Sequence, residues 1–186
     1  MVAKIWTRFG VVMFNTLLLL QKQLVENQLA VVHSGRSWMA SFEWQPPAGI
    51  EQIQAVEQQL SVSLPQDYQK FLGEISNGAV LFHDKEYGQW GFKLFGTTEI
   101  VEKRDEWQRS LPTSWESGLV AFGELFGEAN ALVFDTRQLT KDSLSCRVLE
   151  SNTHDKFSDW VILSRSFHEW LEHLVIAQGQ KFWLWR

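Results

Sequence analysis

The chain has a single cysteine, four prolines and two tyrosines among its 186 residues. With Cys146 alone, no disulfide can form within the chain. That argues against a stapled secreted mini-fold, favours a reducing compartment and leads us to expect a cytoplasmic protein. No apolar run is long enough to cross a bilayer. The nearest, Phe9–Leu20, has twelve mostly apolar residues behind Lys4 and Arg8, but no small-x-small cleavage site follows it at Gln21-Lys22-Gln23. The run therefore reads as part of a docked helix and not as a removed leader. Phosphate-loop, nucleophile-elbow, dinucleotide and HExxH or CxxC patterns are also missing. His168 and His173 stand five apart, which does not put them on one helical face as a metal pair needs. Cys146 falls within an expected strand, where a buried inert thiol is the ordinary state. Catalytic, cofactor and metal positions are accordingly expected to be none.

Aromatic and aliphatic residues are plentiful. The chain is 45% hydrophobic, with ten Trp and thirteen Phe, enough to bury a sizeable core in one globular unit. Net charge is −5 and unevenly spread. Residues 1–50 carry four basic against two acidic side chains, and residues 51–186 carry thirteen against twenty. An acidic body disfavours nucleic acid as ligand and suits a basic protein partner.

Helical spacing of Phe14, Leu17, Leu18, Val25, Leu29 and Val32 predicts a helix over 10–33 that docks through one face, followed by a connector through Pro46-Pro47 anchored by Trp38, Phe42 and Trp44. Residues 1–49 thus form an N-terminal helix and connector, ahead of a domain over 50–186. Ile50, Ile53, Val56 and Leu60 mark a second helix. Pro65 starts a third over 65–76, with Tyr68, Phe71, Leu72 and Ile75 inward and Asn77-Gly78 as its stop. Six short Val/Phe/Leu-rich segments read as strands: 79–82, 90–95, 119–122, 131–135, 146–150 and 160–163. A helix over 98–107 and a loop through Pro112 and Trp115 lie between the second and third. Ser166 with Glu169 forms a capping signal for a C-terminal helix, and the aromatic tail Lys181–Arg186 reads as a last strand or a docking segment.

Leu64-Pro-Gln-Asp-Tyr-Gln-Lys-Phe-Leu72, closed by Ser76-Asn-Gly78, resembles the SUKH superfamily, which includes fungal cell-wall assembly regulators. Leu94-Phe95-Gly96, Val120–Gly123 with Leu132–Asp135, Cys146–Glu150 with His154, and Ser164–Leu174 continue the likeness over about residues 50–176. Two loops depart from the family pattern: Ala79 follows Asn77-Gly78 where a second glycine is usual, and Glu124–Asn130 replaces a glycine-rich stretch. The resemblance implies an α+β fold: an antiparallel, mixed-order sheet of about five or six strands, with N-terminal helices and a C-terminal helix packed on it. It also implies a non-enzymatic protein-binding module, most often an immunity protein that neutralises a toxin. The alternative is a regulatory scaffold of the cell-wall assembly regulator type without a toxin partner. Loops on a rigid sheet carry recognition. Glu74, Asp84, Glu86, Glu124 and Glu128 are therefore the expected contacts for a basic partner, with Trp90 and Trp115 as aromatic anchors.

Overall fold

The computed structural model describes residues 13–33, 35–110, 115–139, 145–151 and 156–185. The first part of the Phe9–Leu20 run, Pro112 and His154 lie outside them.

The N-terminal segment differs most from its sequence reading. Helix α1 (Asn15–Gln23) is only the middle of the expected 10–33 helix, with Phe14 and Leu17 buried as anticipated. After it the chain forms a hairpin of β1 (Gln28–His33) and β2 (Arg36–Trp44), the latter inside the expected connector. The cause is local. Glu26 and Asn27 both take positive φ, 51° and 59°, and Val25 and Gln28 exchange backbone hydrogen bonds across them at 3.0 and 2.9 Å. That is a two-residue turn whose twist suits strands. Beyond it burial alternates, with Leu29 and Val31 inward and Ala30 and Val32 outward. Val25 and Val32, expected on a buried helical face, are exposed.

Helix α2 (Ile50–Leu60) matches its expected span, burying Ile53 and Val56. Helix α3 (Gln66–Lys70) starts after Pro65 and runs on as a wider π-helical turn, Phe71–Ile75, so the two together fill the expected third helix. Tyr68, Phe71 and Leu72 are fully buried. The chain leaves through Asn77-Gly78, where Gly78 has φ +97° and a Cβ would stand 2.9 Å from the Gly96 nitrogen. Gly78→Ala is expected to lower the unfolding free energy by about 1–3 kcal/mol, since both the backbone conformation and the space require glycine. Urea denaturation checks this.

Among the described residues the sheet has eight strands, not five or six. The further strands are β3 (Ala79–Asp84), β4 (Phe92–Leu94), β5 (Leu119–Leu125), β6 (Ala131–Asp135), β7 (Arg147–Glu150) and β8 (Val161–Ser164). All six strand segments read from sequence are present, and β1 and β2 add two more. The order is consecutive from β1 to β8 and wholly antiparallel, which corrects the expected mixed order. Each strand pairs with its chain neighbour. Even the long helical connections do so: the one through α2 and α3 returns β3 beside β2, and the one through α4 (Thr97–Ser110) returns β5 beside β4 with Phe92 opposite Leu125.

Helices cover both faces. On one, Tyr68 sits among Phe71, Phe122, Phe134 and Phe167, with ring centroids 4.8–6.0 Å away, and α5 (Phe167–Ile176) adds Trp170 against Phe92 and Phe122. Helix α1 packs on α5. Glu124 pairs with Ala131, three residues before Phe134 on β6, so its side chain points to the other face. There it meets Lys103 of α4 at 3.6 Å, and α2 packs on α4. Ser166 caps α5 by accepting the Glu169 N–H at 3.0 Å, while the Glu169 carboxylate accepts the N–H of Arg165.

Candidate protein-binding surface

Antiparallel order gathers the strand connections at two ends of the sheet. One end holds the β1–β2 turn, the β3–β4 loop (85–91), the β5–β6 turn (126–130) and the end of β7. Backbone contacts lock these together. The Phe126 N–H bonds the Gly91 carbonyl at 3.0 Å, and a Cβ on Gly127 would stand 2.7 Å from the Gln89 oxygen. His83 stacks on Phe126 at 4.3 Å.

Four of the seven expected contact residues lie at this end, Asp84 as the last residue of β3 and Glu86, Trp90 and Glu128 in its loop and turn. Asp84 accepts the N–H groups of Glu86 and Tyr87 at 3.0 and 3.3 Å, fixing the loop, and Glu86 is exposed beside it. Trp90 is half-buried and donates its indole N–H to the Gly179 carbonyl at 3.1 Å. Glu128 is held by Lys181. Glu124, near the end of β5, is on the α4 side and paired with Lys103. The structure does not bring the other two to this end. Glu74 is exposed on the π-helical turn, beside a groove lined by Ile50, Ile53 and Gly73. Trp115 packs edge-on against Trp160, 6.2 Å between centroids, in the wall of a cleft of about 410 Å³ between α2, α4 and the start of β5.

The C-terminal tail, in sequence either a strand or a docking segment, docks. Lys181 reaches Glu150 at 2.9 Å as well as Glu128, and Trp183 donates its indole N–H to Glu150 at 2.8 Å. Asn130 gives Glu150 a third donor at 3.1 Å. Glu150 is therefore a buried carboxylate satisfied on every side, invisible in sequence because its partners lie 20 to 33 residues away.

Two other buried carboxylates hold structure together and have opposite electrostatics. Asp67 accepts the His168 N–H at 3.0 Å at the start of α5, tying α3 to it, and burial raises its pKa from the ordinary carboxylate value. Asp135 accepts from Arg137 at 2.7 and 3.0 Å and also from Arg147, and Glu116 completes the group from the rim. Arg137 first, then Arg147, holds its pKa low against the effect of burial. In the unfolded chain Asp135 binds protons more tightly than in the fold, so its stabilisation is present above the usual carboxylate pKa and lost as pH falls through the lowered folded value. For Asp67 the sign reverses, and stability drains as pH rises from the ordinary value to the raised one. Below about pH 4 Asp135→Asn is expected to flatten the rise of stability with pH, and above about pH 4 Asp67→Asn is expected to remove the decline that Asp67 contributes. Denaturant titrations at stepped pH read both slopes.

Cys146, just before β7, is buried, and burial pushes its thiol up, away from the reactive thiolate. Among the described residues no three His, Cys, Asp or Glu side chains gather closely enough to hold a metal ion. Among them, too, no helix is long and apolar enough to cross a membrane.

Comparison with known proteins agrees with this fold. Residues 47–173 match the SMI1/KNR4 family (SUKH-1). Two Bacillus subtilis (strain 168) relatives, both described only as uncharacterized, align over most of the chain. YnaB is 30% identical over 144 residues, 77% of this chain and 88% of its own length. YobM is 28% identical over 148 residues, 76% of this chain and 73% of its own. The match takes in α2 through most of α5, with β3 to β8 between them, and so the chain belongs to the SMI1/KNR4 family (SUKH-1).

Proposed function

We propose that this chain is an immunity-type protein that acts by binding and neutralising a basic bacterial toxin, with no reaction of its own. The observation that supports it is the loop end of the sheet. Asp84 and Glu86 stand there on a loop fixed by hydrogen bonds to a rigid frame, with Tyr87 exposed beside them. Acidic side chains hasten encounter with a cationic protein, and preorganised aromatic side chains supply affinity at small entropic cost. The buried carboxylates Asp67, Asp135 and Glu150 are already engaged in holding elements together.

The test is capture of partners by the tagged full chain from its native host, followed by co-expression of the captured protein with and without the chain. A partner that kills alone and is silenced by the chain supports the reading. Capture of a cell-wall synthesis component that is harmless alone would replace it with the regulatory scaffold.

A further inference from the structure

The stretches outside the matched core close on one another. Gln178 accepts the Val32 N–H at 3.4 Å and Gln180 donates to the Val32 carbonyl at 2.9 Å, so the tail is stitched to the edge strand β1. Gly179, at φ +77°, lies so close to Phe82 that a Cβ would come within 2.5 Å. Trp90 holds its carbonyl, and Lys181 and Trp183 fix the next turn on Glu150. A segment fastened at so many points nevertheless leaves its last apolar side chains in water. Leu184 is 63% and Trp185 61% exposed, and on the neighbouring elements Tyr87 is 70% and Val32 53% exposed. Folding alone gives no reason to present them outward on an ordered backbone.

We propose that the β1–β2 tip, the β3–β4 loop and the tail form one partner-reading surface, and that it grips a cationic, arginine-bearing segment of the partner protein. This deepens the reading above and rests on it for the partner's identity. The chemistry is on the surface. The exposed ring of Tyr87 beside a carboxylate, with a second exposed ring in Trp185, matches a guanidinium, which stacks on aromatic rings and bonds carboxylates in a fork. The Glu86 carboxylate lies at the Tyr87 hydroxyl. The cations at this end are largely spent, since Lys85 pairs with Glu43 at 3.3 Å and Lys181 lies between Glu128 and Glu150. Arg36, exposed near the start of β2, adds one positive charge to this end. The tail and the β1–β2 hairpin lie outside residues 47–173, so the matched core carries a reading surface built largely from segments beyond it.

The probe is a fluorescein-labelled peptide of alternating Arg and Gly, with Lys and Glu counterparts, titrated with the full chain by anisotropy. The Arg peptide is expected to bind more tightly than the Lys peptide, and the Glu peptide not to bind. Leu184→Ala with Trp185→Ala, and separately Tyr87→Ala, are expected to weaken Arg-peptide binding about tenfold, as for hot-spot aromatics. Glu102→Gln on α4 and Ile162→Ala on β8, both exposed elsewhere, are expected to leave it unchanged. Equal weakening by Glu102→Gln, or Arg-peptide binding no stronger than Glu-peptide binding, overturns the surface. A captured toxin whose affinity ignores the Tyr87 and Leu184/Trp185 changes overturns it too, while leaving the immunity reading in place. Failure to capture any toxin, with the peptide result intact, removes the immunity reading alone.

Discussion

Tyr68→Ala is expected to leave the chain unfolded or barely folded at room temperature, whereas Tyr68→Phe folds with a reduced midpoint. The ring is fully buried at the meeting point of α3, β5, β6 and α5, against Phe71, Phe122, Phe134 and Phe167. Removing such a ring costs about 3–5 kcal/mol through lost burial and the cavity left behind. That is a large share of the roughly 5–15 kcal/mol that keeps a domain folded. The hydroxyl carries a smaller, separable part. It donates to the Phe95 carbonyl at 2.5 Å and lies 3.4 Å from that of Phe122, beside the bulge in β5. Phenylalanine keeps the packing and leaves a buried carbonyl short of a donor, at about 1–3 kcal/mol. Thermal unfolding followed by near-UV circular dichroism distinguishes the two. Equal losses from both variants would mean that the hydroxyl and not the ring holds this junction.

The second large effect is expected at the tail. Lys181→Met strands Glu150, which is 7% exposed, without its cation. Breaking a buried pair from one side costs about 3–5 kcal/mol, and Asn130 and Trp183 still donate to this carboxylate, so the loss belongs at the lower end. Adding Glu150→Gln to Lys181→Met should return part of the stability, because the stranded charge is gone. Glu128→Gln, which touches only the more exposed arm of the clasp, should cost less than about 1 kcal/mol. Chemical denaturation of the unaltered chain, Lys181→Met, Glu150→Gln and the double variant closes the cycle, with Glu128→Gln measured beside it. A double variant no more stable than Lys181→Met would show that the lysine's packing, not its charge, fastens the tail.

Much of the frame was legible in order along the chain. Pro65 and Asn77-Gly78 bracket the third helix because proline starts helices and the exit demands a left-handed residue. Six strand segments were readable because short β-branched and aromatic runs between turn residues have few other uses. The hairpin of β1 and β2 was not. Its apolar residues also fit a helical period, and the choice rests on the Glu26-Asn27 turn and on pairing with β3, neither of which a periodicity contains. The loop acids were found as acids, but not as partners. Glu124 and Glu128 look free in sequence and are paired with Lys103 and Lys181, which come from a helix and a tail far along the chain.

By itself the sequence determined the class of fold, the buried stripes of α2 and the third helix, and the lack of phosphate-loop, nucleophile-elbow and dinucleotide patterns, because motif, spacing and turn chemistry are local quantities. The tertiary structure decided the rest. It set the eight-stranded consecutive order, tied α3 to α5 through Asp67, turned Glu150 into a buried clasp and fastened the tail to Glu150 and to β1. These are meetings of groups distant in sequence. Only closure of the core brings such groups within a few ångströms, where burial decides whether a charge binds its neighbour or remains open to a partner.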